Sequence, residues 1–130
     1  MGKFSKRLYK INKNFRNILV VGSAFGNLEE LLNDVTTVFI LYPNDMLLKR
    51  KNLIYRETIE STFTIPEVDF VIIDKNLVHV IPTLLPLWRA CYPFIMIEGD
   101  IKNSQEHYKF LKSNCYKIID IHKHYHLWKN

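Results

Sequence analysis

The stretch Val68-Asp69-Phe70-Val71-Ile72-Ile73, followed at once by Asp74, decides the fold of this chain. Four of its six residues are aliphatic and no breaker interrupts them. Such a run has no polar face to turn to water, so it predicts a strand covered on both sides, as in a parallel sheet. Similar runs stand on either side of it. Asn17-Ile18-Leu19-Val20-Val21 reads as a first strand, residues 36–42 as a second and residues 53–58 as a third, weaker one. Phe94-Ile95-Met96-Ile97 follows as a fifth and residues 116–121 as a last, with Tyr125 to Trp128 folding back beside it.

Helix signals fill the gaps. Asn27 with Glu30, and Asn103 with Glu106, are spaced as capping pairs, and Asn44 can cap a short helix containing Met46, Leu47 and Leu48. A helix over 82–91 places Pro82 in its first turn, while Pro86 kinks or shortens it. Strands alternating with helices predict an α/β fold, a three-layer α/β/α sandwich of Rossmann-like type around a mostly parallel sheet. With 130 residues, 48% hydrophobic and 24% charged, the chain has the composition of one soluble globular domain. That length suffices for a core without disulfide or metal staples. Cys91 and Cys115 have no short-range partner spacing, so they read as small core residues in a reducing, cytoplasmic setting. No apolar run nears the roughly 18 residues of a membrane span. The first ten residues carry charges where a signal peptide needs its apolar stretch, so secretion is not expected.

The succession ILVVGSAFGNLEELL (18–32), VDFVIIDKN (68–76) and FIMIEGD (94–100) resembles the class I S-adenosylmethionine-dependent methyltransferases, over residues 17–121. The resemblance implies that the turn of Gly22, Ser23, Ala24 and Gly26 receives the cofactor, with Tyr42 at the end of the second strand and Asp45 beyond it also in the cofactor site. Among subfamilies, Asp74 after strand four and Glu98 with Asp100 after strand five look most like metal-assisted O-methyltransferases of small molecules. That implies a catalytic Asp74 and a Mg²⁺ site formed by Asp74, Glu98 and Asp100, hard oxygen ligands that suit the ion. The family's acid two positions before the first glycine is Val20 here, its middle glycine is Ala24, and its ribose-binding acid falls near Leu41, with Asp45 four residues later. The chain therefore reads as a small S-adenosylmethionine-binding methyltransferase-like protein or, alternatively, as a degenerate, non-catalytic Rossmann module that acts through a protein or RNA partner.

Two further features carry chemistry. His122, His124 and His126 alternate, so on a single strand they share one face and could bind a transition metal or titrate near neutrality. The plainer reading is an exposed terminal hairpin. Trp88 and Trp128 read as core. The other feature is the amino-terminal arm, where residues 1–17 hold Lys3, Lys6, Arg7, Lys10, Lys13 and Arg16 and no acid, although the whole chain has a net charge of only +5. Phe4, Leu8, Ile11 and Phe15 recur at spacings of 4, 3 and 4, one face of a basic amphipathic helix at about 3–16. Its partner is either a phosphate-rich one such as RNA or an anionic membrane surface, or the domain itself, covered by the four apolar side chains.

The covering role is the one expected. Burial of those four side chains contributes about 1.5–3 kcal/mol each before entropy. Deletion of residues 1–17 should therefore lower the melting temperature markedly. An arm that only neutralises phosphates would leave the melt unchanged and show RNA affinity that falls steeply with salt.

Overall fold

The computed structural model describes residues 16–22, 37–41, 53–56, 67–88, 92–98, 105–122 and 125–130. Among these residues seven strands form one sheet: β1 (Asn17–Val21), β2 (Thr37–Leu41), β3 (Leu53–Arg56), β4 (Phe70–Ile73), β5 (Phe94–Glu98), β6 (Lys117–His122) and β7 (Tyr125–Lys129). Their order across the sheet is β3-β2-β1-β4-β5-β7-β6. β3, β2, β1, β4 and β5 pair in parallel, and β7 runs antiparallel to both β5 and β6. The parallel pairing of β4 and β5, with Phe70 opposite Phe94 and Ile73 opposite Ile97, is the arrangement expected of two uninterrupted apolar runs. The arm at 3–15 and the helices expected after β1 and β2 lie outside the described residues.

The central strands are buried residue after residue, not alternately. Leu19, Val21, Phe39, Leu41, Val71, Ile73, Ile95 and Ile97 share one face and one core cluster. Two helices contribute to that cluster: α1 (Ile81–Trp88), through Ile81, Leu84, Leu85 and Trp88, and α2 (Gln105–Ser113), through Tyr108 and Leu111. The residues between, Ile18, Val20, Val38, Ile40, Phe70, Ile72 and Met96, point to the opposite face and are buried as well. The described helices thus make up one outer layer of an α/β fold of Rossmann-like type. The second outer layer expected from the sequence concerns residues outside the described set.

Local chemistry sets the helix boundaries. A 3₁₀ helix (Lys75–Val80) leads into α1, and Asp74 caps it by accepting the Asn76 amide on Oδ1 at 3.0 Å. Pro82 sits in the first turn of α1, where its missing N–H costs nothing, and Pro86 lies inside a helix of only eight residues. α2 ends in a Schellman turn. The Tyr116 amide reaches back to the Leu111 carbonyl at 3.0 Å and the Cys115 amide to the Lys112 carbonyl at 3.1 Å, with Cys115 left-handed at φ 68°. That geometry overturns the reading of Cys115 as a core residue, because the turn presents it to solvent as a free, exposed thiol. Cys91 lies outside the described residues. Trp88 and Trp128 are both buried, as expected.

The amino end of the β1–β4 pair is tied by a carboxylate. Asp69 Oδ2 accepts the backbone amides of Arg16 at 2.6 Å and Asn17 at 2.9 Å, while the Asn17 side chain donates to the Glu67 carbonyl at 2.9 Å. The Asp69 main chain continues the ladder, its amide donating to the Asn17 carbonyl and its carbonyl accepting from the Phe94 amide. Charge-assisted bonds of this kind are worth more than neutral ones. Asp69→Ala should lower unfolding free energy by about 1–3 kcal/mol in a urea titration, with Asp69→Asn losing less because its amide oxygen still accepts.

Candidate functional site

The reversal of strand order falls between β1 and β4. The chain leaves β1 toward β2 and β3 on one side, then returns as β4 on the other, and in open α/β sheets the crevice at such a point, outside the carboxyl ends of the strands, is where ligands bind. Val21 lies in register with Leu41 on one side and Ile73 on the other, and Ile73 is in turn paired with Ile97. Gly22, Asp74 and Glu98 therefore stand in one row along the carboxyl edge. Asp74 and Glu98 are each half-buried.

Gly22 is the pivot of that row. Its φ of +98° is one that side chains rarely adopt. Its amide donates to the Leu41 carbonyl at 2.8 Å, and the Asp74 amide donates to the Val21 carbonyl at 3.0 Å. A Cβ at Gly22 would lie 2.7 Å from Asp74 Cβ and 2.8 Å from Leu77 Cδ1. The glycine is thus required twice over, by its backbone angle and by the approach of the β4 end. The space that a side chain would fill belongs to Asp74 and Leu77.

The sequence-predicted site residues divide accordingly. Gly22, Asp74 and Glu98 are brought together on the carboxyl edge. Ser23, Ala24, Gly26, Tyr42, Asp45 and Asp100 lie outside the described residues. Two of the three expected magnesium ligands, Asp74 and Glu98, thus lie on neighbouring strands, and among the described residues no group of three or more His, Cys, Asp or Glu is placed to hold a metal. Val20 and Leu41, at the positions where acids would hold a cofactor, are aliphatic and fully buried. Side-chain acceptors for a cofactor's amine and ribose do not stand at those two positions.

The histidines do not form the expected row. His122 ends β6 and His126 lies in β7, two strands that run antiparallel, and His124 lies outside the described residues. The reading of an exposed terminal hairpin is overturned as well. β7 inserts between β5 and β6, and His126 is 1% exposed. Its Nδ1 accepts from Trp128 Nε1 at 2.6 Å, and its Nε2 lies 2.9 Å from the Tyr108 hydroxyl. Both ring nitrogens are engaged within the protein. The alternation of His126 and Trp128 placed the two rings on one face, but Tyr108 comes from α2 and only packing reveals it. A separate cavity of about 280 Å³ opens at the opposite, amino edge of the sheet, lined by Trp88, Tyr92, Asn114, Cys115 and Tyr116 among others.

Comparison with solved structures bears on the fold. The MycE methyltransferase of the mycinamycin biosynthetic pathway, solved with Mg and SAH, superposes with a TM-score of 0.63 at 13% identity, over 98% of this chain and 44% of its own. The precorrin 8w decarboxylase of Methanobacterium thermoautotrophicum gives a TM-score of 0.65 at 12% identity, over 98% of this chain and 89% of its own. The precorrin-6y C5,15-methyltransferase of Geobacter metallireducens gives 0.61 at 11% identity, covering 95% and 85%. This chain thus spans less than half of MycE and most of the two precorrin enzymes. The sequence matches no protein-family model and no curated protein. The chain has the class I methyltransferase-like fold.

The contacts around Gly22 have a consequence independent of any ligand. Gly22→Ala combines a left-handed backbone with a Cβ too close to Asp74, and should cost about 2–5 kcal/mol in chemical denaturation without ligand. A loss below 0.5 kcal/mol, on the order of an ordinary surface change, would show that the turn is free to move.

Proposed function

We propose that this chain is a small S-adenosylmethionine-binding, methyltransferase-like protein whose ligand lies on the carboxyl edge, against the turn that begins at Gly22. The observation that carries the reading is the reversal of strand order at β1 and β4, with Gly22 left-handed at the end of β1 and Asp74 directly opposite. In this reading the backbone of residues 22–26 cradles the methionine portion, and Tyr42 and Asp45 lie toward the adenosine. Where a methyl group is transferred, the acceptor is a small hydroxyl compound. Asp74 acts beside it, and Asp74, Glu98 and Asp100 supply oxygens for Mg²⁺, which would orient that hydroxyl. No helix among the described residues is long and apolar enough to cross a membrane. The exposed free thiol of Cys115 favours a reducing compartment such as the cytoplasm.

A second reading is favoured by Val20 and Leu41, which are fully buried and offer the ligand no hydrogen-bond acceptor. In it the same fold is a non-catalytic module that acts through a protein or RNA partner, the basic arm being its contact surface.

Calorimetric titration with S-adenosylmethionine and S-adenosylhomocysteine separates the two. The first reading expects saturable binding with a Kd weaker than about 1 µM, since two side-chain anchors are missing. Absence of heat and of thermal stabilisation at about 1 mM ligand would leave the second reading standing.

A further inference from the structure

We propose that His126 is an acid-sensitive latch that holds strand β7 between β5 and β6. The inference stands apart from the carboxyl-edge ligand and rests on the hydrogen-bond chemistry of one buried ring.

An indole N–H can donate but never accept. With Trp128 Nε1 at 2.6 Å, His126 Nδ1 must therefore be the unprotonated acceptor. A neutral imidazole then carries its proton on Nε2, which donates to the Tyr108 oxygen at 2.9 Å. The rings fit this assignment. Tyr108 stacks on Trp128 at 5.5 Å between centroids and meets His126 edge-on at 4.8 Å. One imidazole thus joins α2 to β7. Among the described residues β7 is also the strand that connects β6 to the rest of the sheet.

A second proton has one place to go. Bound at Nδ1, it sets an N–H against the indole N–H inside a site that is 1% exposed. The Trp128 bond must then break. In register with His126 stand Ile97 of β5 and Ile121 of β6, neither of which can receive the added charge. The ionisable groups on the surrounding elements are Glu98 on β5, the exposed Lys117 with Asp120 and His122 on β6, Tyr125 and Lys129 on β7, and Glu106, His107, Tyr108, Lys109 and Lys112 on α2. Lys109, Lys112 and Lys129 are exposed, and Glu98 and Asp120 are half-buried.

The direction of the pH dependence follows. In the unfolded chain a histidine takes up its proton near pH 6.5, whereas in the folded chain uptake must first break the bond to Trp128. The unfolded state therefore binds more protons in mild acid. The stabilisation is complete above that pH and is lost progressively as pH falls below it. Because Tyr125 at the start of β7 pairs with Glu98, release of the strand extends to the carboxyl edge.

Two measurements on the full chain test this. Thermal melts from pH 8 to pH 5 should be level down to about pH 7 and then fall by about 5 °C by pH 5. The variant His126→Gln, whose amide oxygen can accept the indole N–H without titrating, should lack that fall. A wild-type melting temperature unchanged over this range, or a variant that keeps the whole loss, overturns the latch. The second measurement is free of the variant's own folding. In ¹⁵N-resolved spectra of the wild type, His126 should carry its proton on Nε2 at pH 7.5, and the Trp128 indole proton should begin rapid solvent exchange as the ring becomes protonated. An Nδ1-protonated ring at pH 7.5, or protonation with the indole proton still protected, contradicts the proposal.

Discussion

Everything at the carboxyl edge depends on β1 and β4 lying side by side although two strands separate them in the chain. Four pairs, from Ile18 opposite Phe70 to Val21 opposite Ile73, make up the contact, three of them wholly aliphatic, and none of these side chains is more than 1% exposed. Each end of the pair is closed by an aspartate. Asp69 accepts two amides of the chain entering β1, and Asp74 meets the chain leaving it, where only the hydrogen of Gly22 fits. Had β4 paired instead on the far side of β2, no reversal of strand order, and so no crevice, would exist at β1.

The same close contact shapes what the edge can bind. A glycine in such a turn commonly lets a ligand approach the backbone, yet at Gly22 the first atoms met are Asp74 Cβ and Leu77 Cδ1. The requirement for glycine is already complete within the protein. Val20 and Leu41 point the same way. A carboxylate at either fully buried position would need a partner to offset its desolvation, while an aliphatic residue there contributes about 1.5–3 kcal/mol of burial. At this edge Val20 and Leu41, the two positions where the family resemblance places cofactor-holding acids, belong to the core. That is why the reading of a weakly binding or non-catalytic module stands beside the enzymatic one.

The carboxyl-terminal hairpin shows how far local pattern and tertiary placement can diverge. β7 pairs with β5 and β6 at once, and its Leu127 and Trp128 are buried on opposite faces of the sheet. β6, displaced to the edge, carries the exposed Ile119 and Ile121 and an irregularity between Ile118 and Asp120, a feature that blunts an open edge against further strands. A polar ring is tolerated at His126 because both its nitrogens find partners in Tyr108 and Trp128.

The unbroken apolar runs at 17–21, 36–42, 68–73 and 94–97 by themselves determined a parallel sheet, because such strands are stable only with both faces covered. Between β4 and β6 the breaks in those runs also determined an alternation of strand and helix, which is that of the α/β class. That Gly22, Asp74 and Glu98 share one edge was legible because Gly22 and Asp74 directly follow strands and Glu98 ends one, and ends of parallel strands lie together. What only the tertiary structure decided was contact between distant residues: Asp74 and Leu77 filling the space at Gly22, and Tyr108 meeting His126 across 18 positions of sequence. It also decided that β7 lies inside the sheet and Cys115 outside the core. Period and spacing report which face of an element a residue occupies. Whether that face meets water or another element depends on where the element packs, which no local pattern contains.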